Sequence, residues 1–498
     1  MGGVSRVVVV GGGLGGLAAA ARLAAGGHAV TVCEQAPWIG GKLGWYGRDG
    51  HGFDTGPSLV TLPQVLRDLF AATGAPLDDV LDLVRLDPAT RYRFPDGTWL
   101  DLPGRREEIP AALDAALGSG DEWERFLARA ERMWAVTEQP FLRSPLDGAA
   151  TLARLARSAS DVATVAPWSS LRGLGSRYLQ DPRLRMLLER YATYSGSDPR
   201  RAPAALATVP YVEQAFGSWY VRGGLRRLAE AVAERAAELG AELRTSSPVG
   251  RVLVEGGRAV GVELAGGERI AADVVVSNAD AAALYGDLLP TGAPVRRARA
   301  ALRRTTPSSS GFVLLLALRG RTPGLAHHTV LFPADYDAEF DALFAPVGPP
   351  RPVEDPTVYV SAPDDPATRP DDASESWFVL VNAPRHEPGQ GVDWDTPGLA
   401  DGYADRVLAV LAERGLDVRD RVRWRVVRTP ADLERDTRSV GGSIYGTSSN
   451  GARAAFLRPA NASPLPGLYL VGGSAHPGGG LPLVLLSAEI VAGLVGPA

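Results

Sequence analysis

A chain of 498 residues exceeds the size at which a single core keeps growing, so two or three lobes are expected. Its formal net charge of −5, with no basic cluster interleaved with aromatics, argues against nucleic acid as a partner. Cys33 is the only cysteine, which excludes an intramolecular disulfide and a cysteine-based metal cage and makes an intracellular setting the default. The six histidines are scattered apart from His327-His328, whose rings point to opposite sides if that pair is extended, so no metal site is expected. No run of eighteen apolar residues occurs, and none is expected to span a membrane.

The run Val7 to Val10 reads as a buried parallel strand rather than a cleavable apolar leader. The turn Gly11-Gly12-Gly13-Leu14-Gly15-Gly16 follows it and leads into the helical stretch Leu17 to Leu23. A dinucleotide fold places its pyrophosphate at such a strand-to-helix turn, where unpaired N–H groups of the helix start meet the anion. Gly11 suits the tight turn, Gly13 the approach of backbone to phosphate, and Gly16 close packing of helix on strand. A second strand, Ala29 to Cys33, ends in Glu34, eighteen residues beyond Gly16, the place of a ribose-hydroxyl acceptor. In a chain with 58 glycines the turn alone says little; strand, turn, helix, strand and acid in register predict dinucleotide binding.

Farther along, Arg91 to Leu100 predicts a hairpin around Asp96-Gly97, and the stretch from Ile109 to Pro210 reads mostly as helix. Within it, Leu152 to Ala159 and on to Leu174 mixes apolar residues with arginines, as either a peripheral membrane anchor or an ordinary amphipathic cap helix would. Leu228 to Leu239 has helical apolar spacing and stops at Gly240. Short strands are predicted at 249–254, 259–264 and 273–279, and further strands at 311–318, 357–360 and 377–381. The Pro-, Asp- and Ser-rich stretch 364–376 is expected to be an exposed connection.

Two motifs carry a resemblance. Pro37-Trp38-Ile39-Gly40-Gly41-Lys42, soon after Glu34, resembles FAD-dependent amine oxidases and carotenoid desaturases. Gly467-Leu468-Tyr469-Leu470-Val471-Gly472-Gly473-Ser474-Ala475-His476-Pro477-Gly478-Gly479-Gly480-Leu481-Pro482 resembles the signature of the bacterial phytoene desaturase family. Tyr194-Ser195-Gly196, Trp219 to Gly224, Gly442 to Gly446 and Phe456 to Pro459 extend the likeness over essentially the whole chain. Where phytoene-type enzymes usually show Gly-Ala-Gly-Thr-His-Pro, this chain has Gly472 to Pro477, a departure that leans toward the hydroxycarotenoid 3,4-desaturases.

The resemblance implies an α/β fold: a Rossmann-like FAD-binding domain of the amine oxidase/GDI type, a mixed-sheet substrate domain and a helical cap. It divides the chain into cofactor segments 1–85, 213–285 and 429–498, a substrate hairpin 86–108, a helical cap 109–212 and a substrate sheet 286–428. It implies FAD held by Gly11, Gly13, Leu14, Gly15, Gly16, Glu34, Gly40, Gly41, Lys42, Val249, Gly472, Gly473, Gly479 and Leu481, with Val249 against the adenine. Lys42, the only lysine among 52 basic residues, is open to two readings, a flavin or phosphate contact and a solvated loop residue.

His476 is the one catalytic candidate, as a hydrogen-bonding or electrostatic group near the ring; the alternative is a ring that satisfies backbone groups in a tight turn. Arg458 divides between cofactor contact and surface residue, and Tyr194, Trp219 and Tyr220 between substrate tunnel and plain core. The implied activity is removal of hydrogen pairs from a carotene, with oxygen or a quinone as final acceptor. The enzyme would sit in the cytoplasm on the inner face of the cell membrane. A carotenoid isomerase, a terminal-methyl oxidase and a non-catalytic prenyl-binding escort of the GDI type are the competing readings.

Overall fold

The computed structural model describes residues 3–345, 347–451 and 454–498. A five-stranded, wholly parallel sheet lies at its base, in the order Leu468–Leu470, Val274–Ser277, Arg6–Val10, Ala29–Cys33, Glu242–Arg244. Its strands come from three separated stretches of chain. Arg6–Val10 is central and buried except at its first residue, which is why four consecutive valines suit it: both faces are covered. Helices Leu14–Ala25, Arg226–Glu238 and Leu481–Val495 pack together against the sheet, and Ala18 to Ala21 let them approach closely. A three-stranded antiparallel sheet, Val249–Glu255, Arg258–Leu264 and Arg269–Ala271, lies beside it; its first two strands are those expected, its third is not, and the strand expected at 273–279 belongs to the parallel sheet as Val274–Ser277.

A seven-stranded sheet forms the second layer, in the order Val422–Arg428, Ser310–Arg319, Ser374–Ala383, Val358–Ser361, His328–Leu331, Thr90–Arg93, Trp99–Leu102. Every neighbouring pair is antiparallel except His328–Leu331 with Thr90–Arg93, and the last two strands form the hairpin expected around Asp96-Gly97. Ser310–Arg319 is buried through its first nine residues. Phe312, Leu314, Leu316 and Leu318 pack under helix Leu399–Glu413, whereas Val313 and Leu315 join Phe53 and Phe378 on the opposite face. An apolar run without alternation is thus explained by burial on both sides. Helices between residues 109 and 216, the longest of them Gly120–Thr137, form the cap.

Two expectations need correction, and a third stands between two readings. His327 precedes the strand that begins at His328, so alternation does not govern the pair and the rings meet edge to face at 4.5 Å. The 364–376 stretch is not simply exposed: Asp365, Thr368 and Ser374 to Ser376 are buried, and Asp365 accepts hydrogen bonds from Tyr220 Oη (3.1 Å) and the Gly223 amide (2.6 Å). In the cap, Leu171 and Leu174 face the core, Arg154 bonds Asp147, and Arg172 pairs with Glu189 and Asp337, so these side chains serve the fold; the side chain of Leu152 lies outside the described residues.

Truncation of Leu316 to Ala, on the sheet face under helix Leu399–Glu413, is expected to cost about 2–5 kcal/mol of stability, measured by chemical denaturation, with flavin content of the remaining folded protein unchanged.

Candidate functional site

The parallel strands all end on one edge of their sheet, and there the chain places Gly11, Glu34, Asn278 and Gly472 directly after Val10, Cys33, Ser277 and the short link from Leu470. Ligands of open α/β sheets lie outside this carboxyl edge. Here a cavity of about 770 Å³ opens, large enough for a sizeable ligand.

Two glycine turns from opposite ends of the chain meet around one side chain. A Cβ on Gly15 would stand 2.8 Å from Asn278 Oδ1 and 2.9 Å from the Gly472 Cα, and one on Gly472 would stand 2.4 Å from the same Oδ1. A Cβ on Gly13 would lie 2.6 Å from Asn278 Nδ2. At Gly15 a side chain would meet backbone, whereas at Gly13 and Gly472 it would meet the Asn278 side chain, and Gly472 also has a φ of +100° that favours glycine. Helix Leu14–Ala25 starts from Gly13, and no side chain caps its free amides. That leaves them for an anion.

Glu34 is buried, with Oε2 accepting from the Gly12 amide (2.6 Å) and Oε1 from the Ala36 amide (2.8 Å). The carboxylate is thereby aimed, and each oxygen keeps a further lone pair for a hydroxyl. Gly11, Gly13, Leu14, Gly15, Glu34, Gly40, Gly41, Lys42, Val249, Gly473, Gly479 and Leu481 all line the cavity. Gly16 and Gly472 are not in its wall but in the packing behind it, where a Cβ on Gly16 would meet Gly11 O at 2.2 Å.

Lys42 is not a solvated loop residue. Its Nζ donates to Ser443 O (2.9 Å) and Ile444 O (2.7 Å), tying the Gly40-Gly41 loop to the C-terminal segment. Burial pushes its pKa down to about 8, against the pull of Asp280, whose own carboxyl is raised by burial. Arg458 likewise lies inside rather than on the surface, donating to Tyr445 O (3.0 Å), Gly473 O (2.7 Å) and Thr447 O (2.7 Å).

His476 is fully buried and absent from the cavity wall. Its Nε2 sits 2.9 Å from Phe141 O and 3.0 Å from Ser144 O, and its ring stands edge to face with Phe141 at 4.9 Å. Burial lowers its pKa to about 4, so the ring is neutral and its N–H binds those carbonyls, the arrangement of the backbone-satisfying alternative. Tyr194 lines the cavity; Tyr220 and Trp219 do not.

Sequence reasoning missed Asn278, Asp280, Arg190, Glu213 and Tyr359, all in the cavity wall. Asn278 alone carried a signal, its place immediately after a predicted parallel strand.

Because Lys42 titrates near 8 in the folded chain and near 10.5 when unfolded, the unfolded state binds more protons between those values, and stability rises with pH across that window. Denaturation of the protein and of Lys42→Met at pH 8 and 10 is expected to show this rise only where the lysine is present.

Comparison with known proteins agrees with this geometry. Residues 14–376 match the family model described as flavin containing amine oxidoreductase. The hydroxyneurosporene desaturase of Rubrivivax gelatinosus is 37% identical, over 98% of this chain and 92% of that one. The 4,4'-diapolycopene oxygenase of Methylomonas is 35% identical, over 98% of this chain and 97% of its own. In fold, the chain is similar to cyclohexylamine oxidase from Brevibacterium oxydans, with a TM-score of 0.62, 16% identity and 99% of each chain covered. The chain therefore belongs to the flavin containing amine oxidoreductase family, as an oxidoreductase with FAD for its cofactor.

Proposed function

We propose that this protein is a carotenoid desaturase that removes hydrogen in pairs from a phytoene-type carotene or, at the 3,4 bond, from a 1-hydroxycarotenoid. The observation that carries the reading is one cavity that runs from the glycine turns onto an apolar wall including Val209, Val212, Val313, Phe378 and Leu380. Its support is the pair of near-full-length relatives, a hydroxyneurosporene desaturase and a diapolycopene oxygenase.

FAD, when bound, supplies a two-electron acceptor. Gly11, Gly13, Leu14 and Gly15 would hold its pyrophosphate, with Gly16 packing the helix onto the strand behind them, Glu34 would take a ribose hydroxyl and Val249 would lie beside the adenine. Gly40, Gly41 and Lys42 from one side, with Gly473, Gly479 and Leu481 from the other and Gly472 packed behind them, would hold the rest. The apolar wall lays a long hydrocarbon along the cavity and keeps water from the reacting bond. His476, placed outside the cavity, orders the turn rather than acting on substrate.

A carotene dissolves in lipid, so the cavity must load from a membrane surface. No helix among the described residues is long and apolar enough to cross a membrane. We assign peripheral attachment to the inner face of the cell membrane; the cap offers Trp168, 65% exposed, as an interfacial side chain. Oxygen or a quinone takes the electrons. The 35% identity to a diapolycopene oxygenase favours, as a second reading, oxidation at a terminal methyl.

Pigment mass decides between them. FAD-loaded protein in liposomes with an electron acceptor is expected to remove hydrogen pairs from at least one of phytoene, lycopene and a 1-hydroxylated carotene. Added oxygen would establish the second reading, and unchanged masses with altered retention times would mean isomerisation. Gly15→Val drives side-chain atoms into Asn278 and Gly472, so this variant is expected to purify with less than about a tenth of the flavin, read from its visible absorbance.

A further inference from the structure

Arg190 ends helix Pro182–Arg190, is only 6% exposed, and lines the cavity together with the apolar Val209, Val212 and Val313. No carboxylate lies within salt-bridge distance among the described residues. Its Nη1 donates to Tyr194 Oη (2.8 Å) and Tyr92 Oη (3.4 Å), while Nε and Nη2 have no hydrogen-bond partner among the described residues. Four tyrosine rings surround the guanidinium, at 5.0 Å for Tyr194, 5.6 Å for Tyr92 and 6.0 Å for Tyr191 and Tyr359.

Glu213 lies across the same wall. Its Oε1 accepts from Tyr191 Oη (2.7 Å) and its Oε2 from Tyr194 Oη (3.0 Å). Burial holds both phenols in their protonated form, so they act as donors to the carboxylate. Tyr194 therefore bridges cation and anion, and the two heads are kept apart with unused hydrogen-bonding capacity on each.

Burying a guanidinium without a direct counter-ion is costly, and cation–π contacts repay only part of that cost. A cavity meant for hydrocarbon alone needs no such group. The pair is neutral overall, which disfavours a charged ligand, and it offers donors on Arg190 beside acceptors on Glu213. A hydroxyl satisfies both at once, accepting from the guanidinium and donating to the carboxylate; a carbonyl would leave the carboxylate facing a second acceptor.

We propose that Arg190 and Glu213, positioned by Tyr194, form a subsite that selects polyene substrates bearing a hydroxyl at one end. This rests on the carotenoid reading for the identity of the polyene but not for the presence of the subsite. Sites that hydrogen-bond a buried substrate hydroxyl discriminate strongly against the analogue lacking it, because their own polar groups are then left unpaired.

The test is binding without turnover. Anaerobic titration of the FAD-loaded full chain, its flavin first reduced with dithionite so that it cannot accept electrons, with a 1-hydroxylated carotene and with its parent hydrocarbon of equal length, supplied in liposomes, is followed by the absorbance shift of the polyene. The protein is expected to bind the hydroxylated ligand ~10- to 100-fold more tightly. Arg190→Gln/Glu213→Gln, which keeps the cavity neutral, should bring that ratio near one. If the double variant does not fold, Tyr194→Phe removes only the bridging hydroxyl and should lower the ratio severalfold. A ratio of one in the unaltered protein overturns the proposal, as do variants that weaken both ligands equally, the result of a purely structural role. Selective binding of the hydroxylated ligand with no loss of hydrogen would support the subsite and sink the desaturase reading; equal binding with efficient desaturation would do the reverse.

Discussion

The close approach of two glycine turns around Asn278 is the constraint on which the rest of this structure depends. Residues 11–16 and 472–480 lie at opposite ends of the chain, and they meet only because Arg6–Val10 and Leu468–Leu470 flank Val274–Ser277 in one parallel sheet. The Asn278 amide bonds Val10 O at 2.8 Å, continuing the ladder beyond the strand, and its side chain then fills the space left by three missing Cβ atoms. Behind the second turn, Asn461 Nδ2 donates to Leu470 O, His476 O and Ser487 Oγ, and Ser487 Oγ in turn accepts from the Gly472 amide. This network holds the turn against helix Leu481–Val495, so the cavity's cofactor end is built from backbone that cannot relax.

The other end of the cavity follows a different principle. The seven-stranded sheet presents one apolar face to helix Leu399–Glu413 and the other toward the site, and Val209 and Val212 of the cap line the same cavity. In the proposed function, tightly packed backbone would hold the dinucleotide, whereas shape and hydrophobic burial would receive the substrate. The Arg190 cluster is the exception inside that apolar half, a charged group held where charge is least welcome. Its cation is caged by two rings of the turn that follows it, Tyr191 and Tyr194, and by Tyr92 and Tyr359 from two distant strands, which the local sequence does not announce.

Much of the cofactor end could be read from the chain alone. The valine run, the glycine spacing and the acid after the second strand are each set by local geometry: a parallel strand buried on both faces is uniformly apolar, and a turn that touches another backbone must be glycine. The hairpin at Asp96-Gly97 and the long apolar strand at 310–319 were legible for the same reason. Errors arose where tertiary packing overrode local rule. Polar residues at 364–376 suggested exposure, yet Asp365 is drawn inward by Tyr220 Oη and the Gly223 amide. Alternation was applied to His327 although its neighbour opens the strand.

What the sequence by itself determined is the class of ligand at one end of the site, because phosphate binding at a helix start and close backbone approach demand particular residues at particular spacings. Only the tertiary structure decided which polar side chains face the cavity. His476, inside the most distinctive motif, turns away to bind Phe141 O and Ser144 O, while Arg190 and Glu213, in unremarkable helical stretches, turn in. The reason is physical: the direction of a buried side chain is settled by partners contributed from distant segments, and no periodicity within a segment encodes where those partners will be.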